Sequence, residues 1–143
     1  MSPRRLRRFM AVLVVCSMGC SSSISAPRTA PVRGAVRFKG KPVAGVTVTF
    51  HPQFNMGSVK FAPSGLTGND GSFTLSTTMP GDGAPPGEYA VTFEKLQVQS
   101  DRKNSGIEME VDLWKGKYGN PETSGIRVQI QKGENILTPF SLE

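Results

Sequence analysis

The side chains that could do chemistry in this chain are few and scattered. His51 is the one histidine. Catalysis through Ser-His-Asp or Cys-His needs an imidazole within hydrogen-bond reach of a nucleophile, and a third group to orient it. His51 instead closes an alternating run from Val46 to Phe50 with no such neighbour, and reads as a strand-end residue. Cys16 and Cys20 both lie near the N-terminus. From Ser21 to Glu143 there is no cysteine, so that stretch offers no thiolate, no zinc site of Cys and His, and no disulfide. Glu108, Glu110 and Asp112 alternate with Ile107, Met109, Val111 and Leu113, which puts three carboxylates on one strand face. Same-face neighbours sit roughly 6–7 Å apart. That spacing makes them weak metal candidates if a loop adds further oxygens. The plainer reading is the charged face of an edge strand, which discourages aggregation. Asn69, Asp70 and Asp82 lie in glycine-rich stretches and read as turn residues. Trp114 and Tyr118, with Lys115 and Lys117 nearby, are the candidate ligand-binding residues. Such rings can stack on a sugar or a peptide, and the competing role is capping the core. No phosphate-cradling Gly-x-x-x-x-Gly-Lys-(Ser/Thr) run occurs. The expectation is no catalytic set, no cofactor and no enzyme activity.

The elements that must position these residues are strands. Gly 16 and Pro 11 are high counts for 143 residues, and they fall between short apolar runs. Val32, Val36 and Phe38 alternate with polar residues before the Lys39–Pro42 turn, and Val46, Val48 and Phe50 alternate with Thr47, Thr49 and His51. Asn69-Asp70-Gly71 turns into Phe73 and Leu75, and Pro86-Gly87 launches Tyr89, Val91 and Phe93. Ile126, Val128 and Ile130 lead through Lys132-Gly133-Glu134-Asn135 to Ile136, Phe140 and Leu142, which reads as a hairpin. No window shows a helical period. About seven short strands at this spacing predict an all-β, antiparallel Ig-like sandwich.

The net charge of +6 resembles a nucleic-acid signal until its location is considered. Arg4, Arg5, Arg7 and Arg8 supply most of it, and the rest of the chain is nearly balanced, with no basic stripe to follow a phosphate backbone. Those arginines precede the apolar run Phe9–Val15, which is too short to span a bilayer but suits an export signal. Ser17-Met18-Gly19-Cys20 resembles a bacterial lipobox, which implies lipidation of Cys20; cleavage after Ile24-Ser25-Ala26 is the alternative. Residues 1–20 are thus read as a signal peptide with lipobox, 21–31 as a flexible tether and 32–143 as the domain. Acyl chains contribute about 0.8 kcal/mol per buried CH₂, so two or three would hold the protein durably on a membrane.

Thr67-Gly68-Asn69-Asp70-Gly71-Ser72-Phe73 followed by Pro86-Gly87-Glu88-Tyr89-Ala90-Val91 resembles the signature of carboxypeptidase regulatory-like domains. Gly34-Ala35-Val36 with Gly40-Lys41-Pro42-Val43-Ala44-Gly45-Val46 is similar to that family's opening segment. Lys117-Tyr118, Ser124-Gly125 and Gly133-Glu134-Asn135 resemble the C-terminal part of small bacterial lipoproteins bearing the domain. The resemblance implies a transthyretin-like, prealbumin-type sandwich in an extracytoplasmic setting, with no shared chemistry. The functional expectation is a non-catalytic structural or interaction module of the cell envelope, tethered through its N-terminal lipid to a membrane facing the periplasm or the cell exterior. Its partners would be that membrane and an envelope protein or glycan, with no nucleic acid. The alternative is a carbohydrate- or peptide-binding module built from Trp114, Tyr118 and a loop such as Gln53–Ser64.

Overall fold

The computed structural model describes residues 26–101 and 107–143. Residues 1–20, read above as a signal peptide with Cys20, and the start of the stretch read as a tether lie outside the described residues. The described chain is all-β, with eleven strands: β1 (Val32–Phe38), β2 (Lys41–Pro42), β3 (Thr47–Pro52), β4 (Ser64–Leu66), β5 (Ser72–Thr74), β6 (Gly87–Glu94), β7 (Leu96–Asp101), β8 (Ile107–Asp112), β9 (Arg127–Ile130), β10 (Asn135–Ile136) and β11 (Phe140–Leu142). Seven expected strands become eleven largely because β2, β4, β5, β10 and β11 are pieces of two or three residues.

Two sheets form a β-sandwich. One runs β4-β3-β6-β9, with every pair antiparallel. The other is built on β1, which pairs antiparallel with β5 and β2 and parallel with β10 and β11. Alternate residues of each strand turn inward, as the period-two pattern requires. Val32, Val36, Val48, Phe50, Tyr89, Val91 and Phe93 are wholly buried between the sheets. Phe50 and Tyr89 rings lie 5.7 Å apart, and Phe93 meets Phe140 edge-on at 5.2 Å. The Tyr89 hydroxyl, too deep for water, donates to the Pro85 carbonyl at 2.7 Å, and burial pushes its phenol well above the ordinary range.

One sequence expectation is corrected. The segment 132–135 is no hairpin: β9 pairs with β6, whereas β10 pairs with β1 in the other sheet. The chain therefore changes sheets at this corner, and Asn135 holds it. Its Oδ1 accepts the Gln131 N–H at 2.9 Å, and its Nδ2 donates to the carbonyls of Gln131 at 3.0 Å and Gly133 at 2.9 Å. This switch makes the pairing with β1 parallel, so the second sheet is mixed. Main-chain pairing also extends upstream of residue 32. Ala30 is buried and exchanges two main-chain hydrogen bonds with Ala84, at 2.8 and 3.0 Å. Gly83 permits this approach. It has φ +85°, and any Cβ there would run into the Ala30 carbonyl.

A third unit, the two-stranded ribbon β7–β8, belongs to neither sheet. Its register sets Val98 opposite Glu110 and Gln99 opposite Met109. The sequence pattern finds β8 but misses β7.

Candidate functional site

The aromatic residues singled out by sequence lie at one end of the sandwich, just beyond the root of the ribbon. Asp112 ends β8 and nucleates the turn that presents them. Its Oδ1 accepts the Lys95 N–H at 3.0 Å and the Trp114 N–H at 3.1 Å, and its Oδ2 accepts the Gly116 N–H at 2.7 Å. Burial works against the Asp112 charge, but the Gly116, Trp114 and Lys95 amides outweigh it and hold the carboxyl below its ordinary value. Trp114 and Tyr118 meet edge-on with centroids 5.4 Å apart, and Trp114 lies 5.3 Å from the Phe38 ring. Both rings are half-buried against the core. The Tyr118 hydroxyl donates to the Glu143 carbonyl and accepts the Glu143 N–H at 3.0 Å. Lys117 Nζ stands 5.0 Å above the Tyr118 ring and donates to the Glu143 carbonyl at 2.6 Å. The two rings are thus brought together, as a cluster whose polar handles already bind main chain.

The loop expected to join them lies elsewhere. Phe54 packs edge-on against Tyr89 at 5.4 Å, beside Gly87 at the start of β6. The Tyr118 carbonyl instead accepts the Phe93 N–H near the end of β6. Six residues of strand separate these points, about 20 Å. One ligand of sugar-ring size does not touch both.

The three carboxylates do share a face of β8, since Glu110 pairs with Val98 and Glu108 with Ser100. Asp112 is committed to its turn, however, and among the described residues no group of three His, Cys, Asp or Glu side chains gathers as a metal site. Asp70 accepts the Ser72 hydroxyl at 2.7 Å and its N–H at 3.0 Å, which holds its carboxyl below the usual value. Asp82 closes the 77–82 loop, taking N–H groups from Thr77 at 2.6 Å and from Thr78 and Met79 at 3.0 Å. Burial opposes its charge, and those bonds, with the Thr78 hydroxyl, prevail and lower its pKa. Asp70 and Asp82 therefore act as the turn residues their surroundings indicate.

His51 lies in β3, on the outer face of its sheet, and its Nε2 is 2.8 Å from Thr92 Oγ1. Burial lowers its pKa, only partly offset by Glu94. Its hydrogen-bond neighbour is a threonine of the same sheet.

No family model and no curated protein matches the sequence. Among solved structures, the chain is similar to part of a 9R-lipoxygenase from Cyanothece, at 14% identity and a TM-score of 0.44, over 83% of this chain and 17% of that one. It is also similar to a DUF3823 family protein from Parabacteroides merdae, at 16% identity and a TM-score of 0.39, over 79% of this chain and 45% of that one. The chain spans less than half of either protein.

One surface escapes sequence reasoning. Between β9 and β11, the two strands that flank one open side of the sandwich, runs a groove of about 430 Å³ lined by Ile126, Arg127, Val128, Leu137 and Phe140 among others. The Val91 N–H donates to the Ile126 carbonyl, so Ala90 and Arg127 form a non-hydrogen-bonded pair. The main-chain groups of Arg127 and Gln129 consequently point outward, away from β6. Its structural cause is the switch at Asn135, which separates β9 from the strands that follow and leaves its outer edge open.

Proposed function

We propose that this chain is an extracytoplasmic β-sandwich of the carboxypeptidase regulatory-like kind, held on a membrane through Cys20 and serving the cell envelope as a non-catalytic structural or interaction module. The observation that carries the reading is the N-terminal order: arginines, a short apolar run and Ser17-Met18-Gly19-Cys20, a few residues ahead of a sandwich in which Ala30 is buried and bonded to Ala84. The non-catalytic part rests on how the ionisable groups are used. Asp70, Asp82 and Asp112 fix turns, and His51 faces Thr92. None of these pairs a base with a nucleophile in a recess that excludes water.

The test is lipid labelling. The wild-type protein takes up a fatty-acid analogue and partitions into the detergent phase, and Cys20→Ser does neither. Equal labelling of the two would overturn the anchor and favour cleavage after Ala26. A companion assay with ester, peptide and glycoside substrates yields no turnover. Turnover that His51→Gln abolishes would contradict the non-catalytic reading.

A further inference from the structure

We propose that two copies of this chain associate by strand addition, the ribbon strand β8 of one copy pairing with the free edge of β9 in the other. The inference begins with a mismatch between pattern and burial. Along β8, Met109 and Val111 alternate with Glu108, Glu110 and Asp112, the pattern of a strand with one face buried. Among the described residues β8 pairs only with β7 and belongs to neither sheet, and Met109 is 58% exposed. Leu96 and Val98 of β7, also exposed, lie on the ribbon's other face with Asp112 and Glu110. An isolated two-stranded hairpin is marginal in water, so a third strand or a covering surface is what this ribbon lacks.

The groove beside β9 has the complementary defect. It is a half-filled apolar channel, with Ile126, Val128, Leu137 and Phe140 only partly buried, bordered by outward-pointing main-chain groups of Arg127 and Gln129. Unpaired edges of this kind are templates for another strand. The two surfaces fit in register and in charge. A strand added to β9 continues its alternation, in which Val128 faces the interior and Arg127 the outer face. Placing β8 there turns Met109 and Val111 into the groove and sets Glu108 and Glu110 on the outer face beside Arg127. Arg127 has only the neutral Gln53 Oε1 as its hydrogen-bond partner, at 2.6 Å, and no carboxylate pairs with it among the described residues. Glu108 and Glu110 likewise have no ion pair there. Both halves of the contact are present on every copy, so a twofold axis lets each copy give its ribbon and receive the other's, closing the assembly as a dimer.

This proposal is independent of the membrane anchor and stands or falls on oligomeric state. The purified full chain in detergent, measured by size exclusion with light scattering over a dilution series, is expected to run as a concentration-dependent dimer. Val128→Arg in the groove and Met109→Lys on the ribbon each yield monomer. Arg127→Glu and Glu110→Arg each weaken the dimer about tenfold, and the two together recover it, since the pair is restored with its charges exchanged. The exchanged pair keeps the test decisive if Val128→Arg fails to fold. A monomer at every concentration, or a dimer that ignores changes on either the ribbon or the groove, would overturn the proposal.

Discussion

The β6 strand and the β7–β8 ribbon follow each other in the chain, and β8 shares the alternating pattern of β6, yet they end in opposite environments. In β6, Tyr89, Val91 and Phe93 are wholly buried, because β3 and β9 flank the strand and a second sheet covers it. In the ribbon, Leu96, Val98 and Met109 remain 46%, 55% and 58% exposed. The difference teaches that alternation records what a strand face is built to meet. It does not say whether the same chain supplies that surface.

The sharpest way to break the comparison is to truncate one side chain in each region. Phe93→Ala should cost about 3–5 kcal/mol, since it empties a space between two sheets. Met109→Ala should change monomer stability by less than about 0.5 kcal/mol. Urea unfolding of both variants, at concentrations too low for association, reads the contrast. Comparable losses would mean that the ribbon is packed on the sandwich after all.

Gly83 and Asn135 mark where the sandwich is closed by backbone rather than by apolar packing. Gly83→Ala forces a Cβ onto the Ala30 carbonyl at a positive φ, and should cost about 3 kcal/mol, with the segment around Ala30 released first. Limited proteolysis near Ala30 would report that release, and an unchanged cleavage pattern would contradict it. Asn135→Ala removes the amide that bridges the sheet-switching corner, with an expected loss of about 2 kcal/mol in thermal unfolding. Similar changes in the ribbon should leave the melting temperature nearly unmoved.

The smallest effect expected is electrostatic. Asp82 and Asp112 have carboxyls held below their ordinary values in the fold. The stability they add is therefore fully present above the unfolded carboxylate pKa, near 4, and is lost as pH falls through the lower folded values. Acid titration of the melting temperature should show this decline. Asp82→Asn should flatten part of it and cost about 1 kcal/mol at neutral pH, since an amide NH₂ would face the Thr78 and Met79 N–H groups.

Much of the sandwich is legible in the sequence, for physical reasons. Val48 and Phe50, and Tyr89, Val91 and Phe93, must each fill one face of a pleated strand, and that need writes period two into the chain. The run from Leu96 to Ser100 is not legible, because two apolar residues among glutamines carry too little signal. The corner at 132–135 is ambiguous in principle, since Lys-Gly-Glu-Asn suits a hairpin as well as a sheet switch. What decides it is three-dimensional, namely the Asn135 amide and the parallel edge offered by β1. At the candidate site, Trp114 and Tyr118 are found by residue type, but their hold on Phe38 and Glu143 depends on contacts distant in sequence. The β9 groove has no sequence mark, because an open edge is defined by the strand that is missing beside it.

The central claim is that the sandwich is self-sufficient and the ribbon is completed by association. Amide hydrogen exchange of the full chain at low and high protein concentration tests it most directly. The account predicts that the Val91 and Phe93 amides exchange only through global unfolding at both concentrations, whereas the Met109 and Glu110 amides exchange rapidly when dilute and become protected when concentrated. Ribbon amides as protected as those of β6 in the dilute sample would contradict it.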